Sequence, residues 1–251
     1  GKVEDQSKNE EVFKIFQKRI REALEDNTNV IADATNITMR SRRAIIENIK
    51  GIECRKIAYL IPKPFDQCKI DNLNRQHPVP KEMLDKQIRK FQIVFYEEGW
   101  DLIRRYGFLR DDWITIPDIS LKMENFDQKN PHHTMSLLEH SDCTYKLFAD
   151  KEYPMSFQLG ALLHDVGKLY CQTFDEFGIA HYFDHNSIGS YLILTSLDGF
   201  YHYDILDACF LINYHMMPFN WTTEKSKERW KKRFGEYKYQ MLLDFHETHE
   251  M

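Results

Sequence analysis

The sequence predicts an N-terminal α/β unit with a parallel sheet, followed by an all-helical domain that carries a small β-hairpin. Two observations divide the chain this way. Up to about residue 105, apolar residues alternate between helical spacing and short strand-like runs; beyond residue 125 helical spacing dominates. Ten of the eleven histidines lie between His132 and His249, and only His77 lies outside, so the two parts carry different chemistry.

The chain has 251 residues, 42% of them apolar and 14% aromatic, enough for one large or two modest domains around a substantial core. A net charge of -5 and a pI near 6.1 argue against a generally basic nucleic-acid coat, while leaving room for a local basic groove. Cys54, Cys68, Cys143, Cys171 and Cys209 are scattered without CxxC spacing and read as reduced core thiols of a cytosolic protein. No secretory leader is visible and no apolar run approaches the ~18 residues that span a bilayer, so a cytoplasmic location without membrane contact is expected.

In the first half, Val12, Phe13, Phe16, Ile20, Ala23 and Leu24 fall at helical spacing on one face. Asn29-Val30-Ile31-Ala32 reads as a short strand that ends at Asp33-Ala34-Thr35-Asn36. Ala44, Ile45, Ile46 and Ile49 form the buried face of a second helix, stopped by Gly51. Arg55 to Ile61 reads as another strand, bounded by Pro62. The order helix–strand–helix–strand–helix argues for a parallel sheet. In such sheets ligands bind at the carboxyl ends of strands, where Asp33 sits.

These residues bring a family into view. Val30 to Asn36, followed by Arg40, Arg42 and Arg43, resembles the "DATN…R" segment of phage-type P-loop polynucleotide kinases. Asn72-Leu73-Asn74-Arg75, then Pro78-Val79-Pro80, resembles that family's lid, and Glu97-Glu98-Gly99-Trp100-Asp101 its closing turn. The resemblance covers about residues 10–105. It implies that Asp33 and Arg75 serve the kinase side in an intact protein, with ATP and Mg²⁺ as cofactors there. The competing reading is a helix cap for Asp33 and a solvated loop residue for Arg75. No G-x-x-x-x-G-K-[ST] phosphate loop occurs in the chain, and Gly1-Lys2 has no preceding strand. The sequence therefore reads as a fragment or a kinase remnant. Without the loop the phosphates and Mg²⁺ lack a cradle, and no kinase activity is expected of the chain as written.

Residues 1–110 are thus read as a partial kinase-like domain, 111–125 as a linker, and 126–251 as the second domain. Asn130-Pro131-His132-His133-Thr134 is expected to open a helix carrying His140. The apolar run Phe157 to Leu163 reads as a buried helix ending at His164-Asp165, with Gly167 as its stop. Leu169 to Phe174 and Ile179 to Phe183 read as a hairpin. Asp184-His185-Asn186-Ser187 starts a further helix, Ile205 to Tyr214 forms another that ends at His215, and Tyr237 to Glu250 the last.

A histidine next to an aspartate offers one imidazole nitrogen and one carboxylate oxygen, a pairing suited to Mn, Fe, Co, Ni, Zn or Mg. The constellation His140, His164-Asp165, His185 and His215 resembles the HD superfamily of metal-dependent phosphohydrolases, through "LLHDVGK", "HYFDHNSIGS" and "INYHMMPF". That resemblance covers about residues 126–251. It implies that His140, His164 and Asp165 hold a main metal, with His185 and His215 as ligands of a second and Asp165 as bridge. One or two divalent ions (Mn, Ni, Co, Fe or Mg) are expected. Lys168 is placed to meet a phosphate oxygen, and His133 or His132 to bind phosphate or protonate the leaving group. The family's late aspartate is missing; His249 stands in its place, or Asp244 serves from earlier in the helix.

Together the halves imply a phosphohydrolase that heals RNA ends, acting on a 2′,3′-cyclic or a 3′-phosphate, the substrate resting on the domain pairing. The alternatives are a mononucleotide or cyclic-nucleotide phosphohydrolase and a catalytically dead nucleotide- or RNA-binding module. Basic stretches at Arg40–Arg43, Arg104-Arg105 and Lys225–Arg233 could meet a phosphate backbone or be solvated faces.

Overall fold

In chain order the elements are α1 (Asn9–Glu25), α2 (Met39–Asn48), β1 (Ile57–Leu60), α3 (Phe65–Leu73), α4 (Lys81–Arg89), β2 (Leu102–Arg105), α5 (Ile116–Glu124), α6 (Leu137–Ala149), α7 (Met155–Leu163), α8 (Lys168–Cys171), β3 (Thr173–Phe174), β4 (Ala180–His181), α9 (His185–Ser196), α10 (His202–Tyr214) and α11 (Glu224–His249). This is a computed structural model; it describes residues 9–106, 114–129, 135–196 and 202–249.

The parallel sheet is the pair β1–β2, with Ile57 beside Leu102 and Leu60 beside Arg105. Its entry is fixed by Asp101, whose carboxylate accepts the Lys56 backbone N–H at 2.7 Å. The helices α3 and α4 make the crossover. Two differences from the sequence reading stand out. Asn29 to Ala32 is not a strand: among the described residues it forms no ladder with a neighbour, and Ile31 is 93% exposed. A single extended segment with unpaired N–H and C=O groups has nothing to hold it as a strand. The sheet's second strand is instead Leu102–Arg105, whose two arginines mask the apolar pattern.

One cluster of buried side chains runs through both halves, and Met39, Phe91, Ile93 and Phe95 belong to it as fully as Leu163 and Phe245. The irregular segment 91–95 is the joint. Phe95 meets the rings of Phe210, Tyr214 and Phe234 edge-on at centroid distances of 5.1, 5.9 and 5.5 Å. Arg42 of α2 is buried beside it. Its guanidinium grips Glu98 through Nε at 2.8 Å and Nη2 at 2.6 Å, and donates to the carbonyls of Gln92 and Ile93.

The stretch read as a linker carries α5, which is capped reciprocally by Thr115 and Asp118, buries Ile119 and Met123, and packs on α6. The helix bearing His140 starts at Leu137, with Ser136 and Glu139 forming a capping box; residues 130–134, where its start was expected, lie outside the described residues. In the hairpin only Thr173–Phe174 and Ala180–His181 pair. Leu169 to Cys171 is helical instead of strand, because the turn bond from Tyr170 N–H to the Gly167 carbonyl continues into it. The final helix is longer than its sequence pattern indicated. It runs Glu224–His249 with a break at Gly235 (φ 74°), which separates Tyr237 onward from the charged first part. The helices α7, α9 and α10 form a layer in which α10 packs on both others, and Arg105 of β2 donates to the Leu194 carbonyl of α9 at 2.8 Å. Gly160 permits that approach, since a Cβ there would lie 2.9 Å from the Ala208 carbonyl oxygen.

Candidate metal centre

The helix α7 is apolar almost throughout and buried, so its end is held rigidly. His164 caps it, with the ring wholly enclosed and Nδ1–H donating to the Ala161 carbonyl at 2.8 Å. His185 opens α9, and its Nδ1–H donates to the Tyr182 carbonyl at 2.9 Å. His215 follows α10, and its Nδ1–H donates to the Ile212 carbonyl at 2.8 Å. A carbonyl only accepts, so all three rings must carry the proton on Nδ1. In its neutral form each ring therefore offers a bare Nε2, the tautomer that metal-binding histidines are fixed in.

Those Nε2 atoms converge on Asp165, which is 2% exposed. His164 Nε2 lies 3.3 Å from Oδ2, His140 Nε2 3.8 Å from Oδ2, His185 Nε2 3.2 Å from Oδ1 and His215 Nε2 3.9 Å from Oδ1. His249 closes the first side, its ring centroid 5.0 Å from that of His140 and 5.1 Å from that of His164. Two groups result: His140, His164, Asp165 and His249, and Asp165, His185 and His215, in each of which the ligand atoms lie within 4.8 Å of one another. Metal–ligand bonds of about 2.0–2.2 Å set ligand atoms roughly 3–4 Å apart, so small shifts suffice to complete either group. Asp165 belongs to both and presents one oxygen to each.

The electrostatics favour a cation. His164 Nε2 and Asp165 Oδ2 are enclosed without a hydrogen-bond partner of good geometry, although Lys168 Nζ lies 2.7 Å from Oδ2. Orphaned polar atoms in a protein interior cost about 1–3 kcal/mol each, which a ligated ion would remove. Burial pushes the Asp165 carboxyl up, but the charges of His164 and Lys168 and the approach of His185 outweigh it and hold the group well below the usual carboxylate range. Burial, then His164 and His185, push the His215 imidazole well below its ordinary value. Burial, then His164, lower His249 to about 3. Neutral imidazoles at His215 and His249 beside an ionised Asp165 are protonation states that metal binding requires. The donor set thus fits a divalent ion.

All six residues expected as ligands (His140, His164, Asp165, His185, His215 and His249) come together here. Asp244 does not: it accepts from Tyr153 Oη at 2.6 Å and from Gln240 at 2.8 Å, away from the cluster. Lys168 is buried and sits against Asp165, with Nζ also 5.5 Å above the Tyr182 ring. His132 and His133 lie outside the described residues. On the kinase-like side, Asp33 and Arg75 are both exposed, Asp33 ahead of α2 and Arg75 in the turn after α3; the cap of α2 is Thr38, not Asp33.

Other motif residues turn out to hold the fold. Arg42 and Glu98 form the buried pair described above. Asn72 closes the lid turn by bonding both the N–H and the carbonyl of Val79, at 2.9 and 2.8 Å. Arg105 donates to the Leu194 carbonyl at 2.8 Å, and Arg229 and Arg233 lie over the Trp230 ring. Gly167 has a different purpose from the one its sequence position indicated. Its φ of -64° is ordinary helical backbone, not a stop; what it supplies is room, since a Cβ would lie 1.9 Å from the His185 carbonyl oxygen. Long-range contact of this kind leaves no trace in local sequence.

No helix among the described residues is long and apolar enough to cross a membrane. No curated protein and no solved structure matches the chain. Residues 2–94 match a family model described as an AAA domain, which supports a P-loop kinase-like reading of the N-terminal part.

Proposed function

We propose that the chain is an HD-type metal-dependent phosphohydrolase, and that it acts on RNA ends bearing a 2′,3′-cyclic or 3′-phosphate. The observation that carries the reading is the convergence of the Nε2 atoms of His140, His164, His185 and His215 on the two oxygens of one buried carboxylate. His140, His164, Asp165 and His249 would hold one divalent ion, and Asp165, His185 and His215 a second. A divalent ion so held supplies a hydroxide near neutral pH and offsets charge on a phosphoryl group.

The chain's own residues supply the rest. Asp165 keeps its charge and is shared by both groups. The backbone carbonyls of Ala161, Tyr182 and Ile212 fix the ring tautomers. The Lys168 ammonium, steadied by Asp165 and the Tyr182 ring, would meet a phosphate oxygen. His133 is proposed to donate the proton to the departing oxygen. A strand rather than a mononucleotide as substrate is supported by the kinase-like partner domain. A groove of about 1480 Å³ runs from α3 and α4 to Tyr170 on α8; its wall carries Lys63, Lys69, Lys86, Arg89 and Lys122 against Asp66, Asp71, Glu82 and Asp85, so its charge alone does not select a polyanion.

The test is hydrolysis of a short RNA ending in a 2′,3′-cyclic phosphate, with Mn, Ni, Co or Mg added, in wild type and Asp165→Asn. Metal-dependent opening lost in the variant is expected. Absence of turnover with every metal, in folded protein, would refute the proposal, and faster turnover of free nucleotides would replace its substrate.

A further inference from the structure

We infer that Asn213 and Asn186 are positioning residues for one of the two ligand groups, that of Asp165, His185 and His215, and that they take their anchor from the N-terminal half. The inference rests on the metal-centre reading above and assigns it a second set of supports.

Asn213 lies two residues before His215, is 2% exposed, and spends its side chain on backbone of the other half. Its Oδ1 accepts the Ile93 N–H at 2.8 Å, and its Nδ2 donates to the Phe91 carbonyl at 3.1 Å. The amide thus reads the segment 91–93 as a strand partner would, satisfying one donor and one acceptor that would otherwise be buried without partners. The Ile93 carbonyl is itself held by Arg42 Nη2 at 3.1 Å, and Arg42 is locked to Glu98. A chain of hydrogen bonds therefore runs from α2 through residue 93 to the end of α10.

Asn186 extends the chain to the second histidine. It follows His185 directly, and its Nδ2 donates to the Asn213 backbone carbonyl at 2.7 Å. The start of α9 and the end of α10 are thereby tied together at the residues next to their ligands. This is where His185 Nε2 and His215 Nε2 stand 3.2 Å apart. The other group draws on α6, the end of α7 and the end of α11, and neither asparagine bonds to those elements. The two groups share Asp165 but have separate supports, so loss of the asparagines should loosen one and spare the other.

The experiment loads full-length protein with Ni(II) or Mn(II) and measures ions bound per chain and the affinity of each, for wild type, Asn186→Ala, Asn213→Leu and His249→Ala. Circular dichroism and thermal melting of the metal-free forms establish that each is folded; Asn186 is only partly buried, so Asn186→Ala keeps the test open if Asn213→Leu fails to fold. Supports behind a ligand typically change metal affinity roughly 10- to 100-fold. The expected result is that both asparagine variants weaken one ion by that factor while the other binds as in wild type, with the spin coupling between paired Mn(II) ions lost. His249→Ala should weaken the opposite ion. Unchanged affinity for both ions in folded Asn186→Ala would overturn the inference, as would equal loss of both. A wild type that binds no ion would overturn the metal-centre reading itself, a result distinct from either.

Discussion

His185 Nε2 and His215 Nε2 face each other at 3.2 Å, and both rings have already committed their proton to Nδ1. With both rings neutral, two bare lone pairs at that distance repel. A proton between them would relieve this, but burial pushes His215 well below its ordinary value and disfavours the charge. A metal ion relieves it without protonation. Addition of Mn(II) or Ni(II) should therefore raise the melting temperature, and chelation should lower it. At a hundredfold excess over the dissociation constant the gain is about 2.7 kcal/mol. Asp165→Asn should abolish most of the shift, and a metal-independent melting temperature in wild type would contradict the site.

His249 and Asp244 can be separated by mutation. His249 packs against the rings of His140 and His164, whereas Asp244 receives Tyr153 Oη at 2.6 Å. His249→Ala should weaken metal binding by an order of magnitude or more. Asp244→Ala should leave metal binding intact and cost about 1 kcal/mol through the lost hydrogen bond. Calorimetric metal titration and urea unfolding of the two variants give both numbers; the opposite pattern would return the late ligand to Asp244.

The candidate ligands were legible in the sequence through the resemblance to the HD superfamily, and local signals placed three of them at helix ends: the apolar run before His164, the Asp184 turn before His185, the apolar run before His215. Their supports were not. Asn213 looks like any polar residue in a helix, and only the fold reveals that its side chain binds the backbone of residues 91 and 93. Arg42 stands in a basic stretch open to a phosphate or a solvated role and Glu98 in a kinase-like turn motif, yet they are 6% and 8% exposed and bind each other. The expected strand at residues 29–32 had an apolar pattern but no neighbour to pair with among the described residues, and pairing is a tertiary property.

The Arg42–Glu98 pair should be expensive to break from one side. Replacing Arg42 by Met leaves the Glu98 carboxylate buried with, among the described residues, only the Trp100 indole N–H, at 3.2 Å, as a side-chain donor. It also strips donors from the Gln92 and Ile93 carbonyls. A buried charge left without its partner costs about 3–5 kcal/mol. Arg42→Met should show that loss in urea unfolding, and Arg42→Lys should recover only part, because an ammonium cannot span both carboxylate oxygens and the carbonyls. A loss below 1 kcal/mol would mean that the pair is not buried in solution.

Acid should destabilise the metal-free protein well above the range where carboxylates titrate. His249 is lowered from 6.5 to about 3 in the folded chain. Between those values the unfolded chain binds a proton that the folded chain refuses, so stability falls as pH drops, by about 1.4 kcal/mol per pH unit for each proton withheld. His215 is depressed in the same direction and adds to the slope. Asp165, also depressed, contributes stability that is lost only below the ordinary carboxylate range of about 4. Unfolding of chelated protein at pH 7.5, 6 and 5 should show a steady decline. A flat profile would mean that the imidazoles are solvated.

Gly167→Ala isolates the contact between the turn after His164-Asp165 and the start of α9. The backbone angles at Gly167 suit any residue, so alanine brings no conformational penalty there. The obstacle is space: the new Cβ would lie 1.9 Å from the His185 carbonyl oxygen and 2.8 Å from the Gly189 backbone nitrogen, and neither can swing aside as a side-chain tip could. The relief open to the structure is to move the start of α9 away from the turn, which carries His185 away from Asp165 Oδ1, now 3.2 Å distant. Overpacking of this kind typically costs about 1–3 kcal/mol. The variant should therefore lose stability and bind more weakly the ion of the group that contains His185. Thermal melting and metal titration check both, and a variant that binds both ions normally would show that α9 does not rest on Gly167.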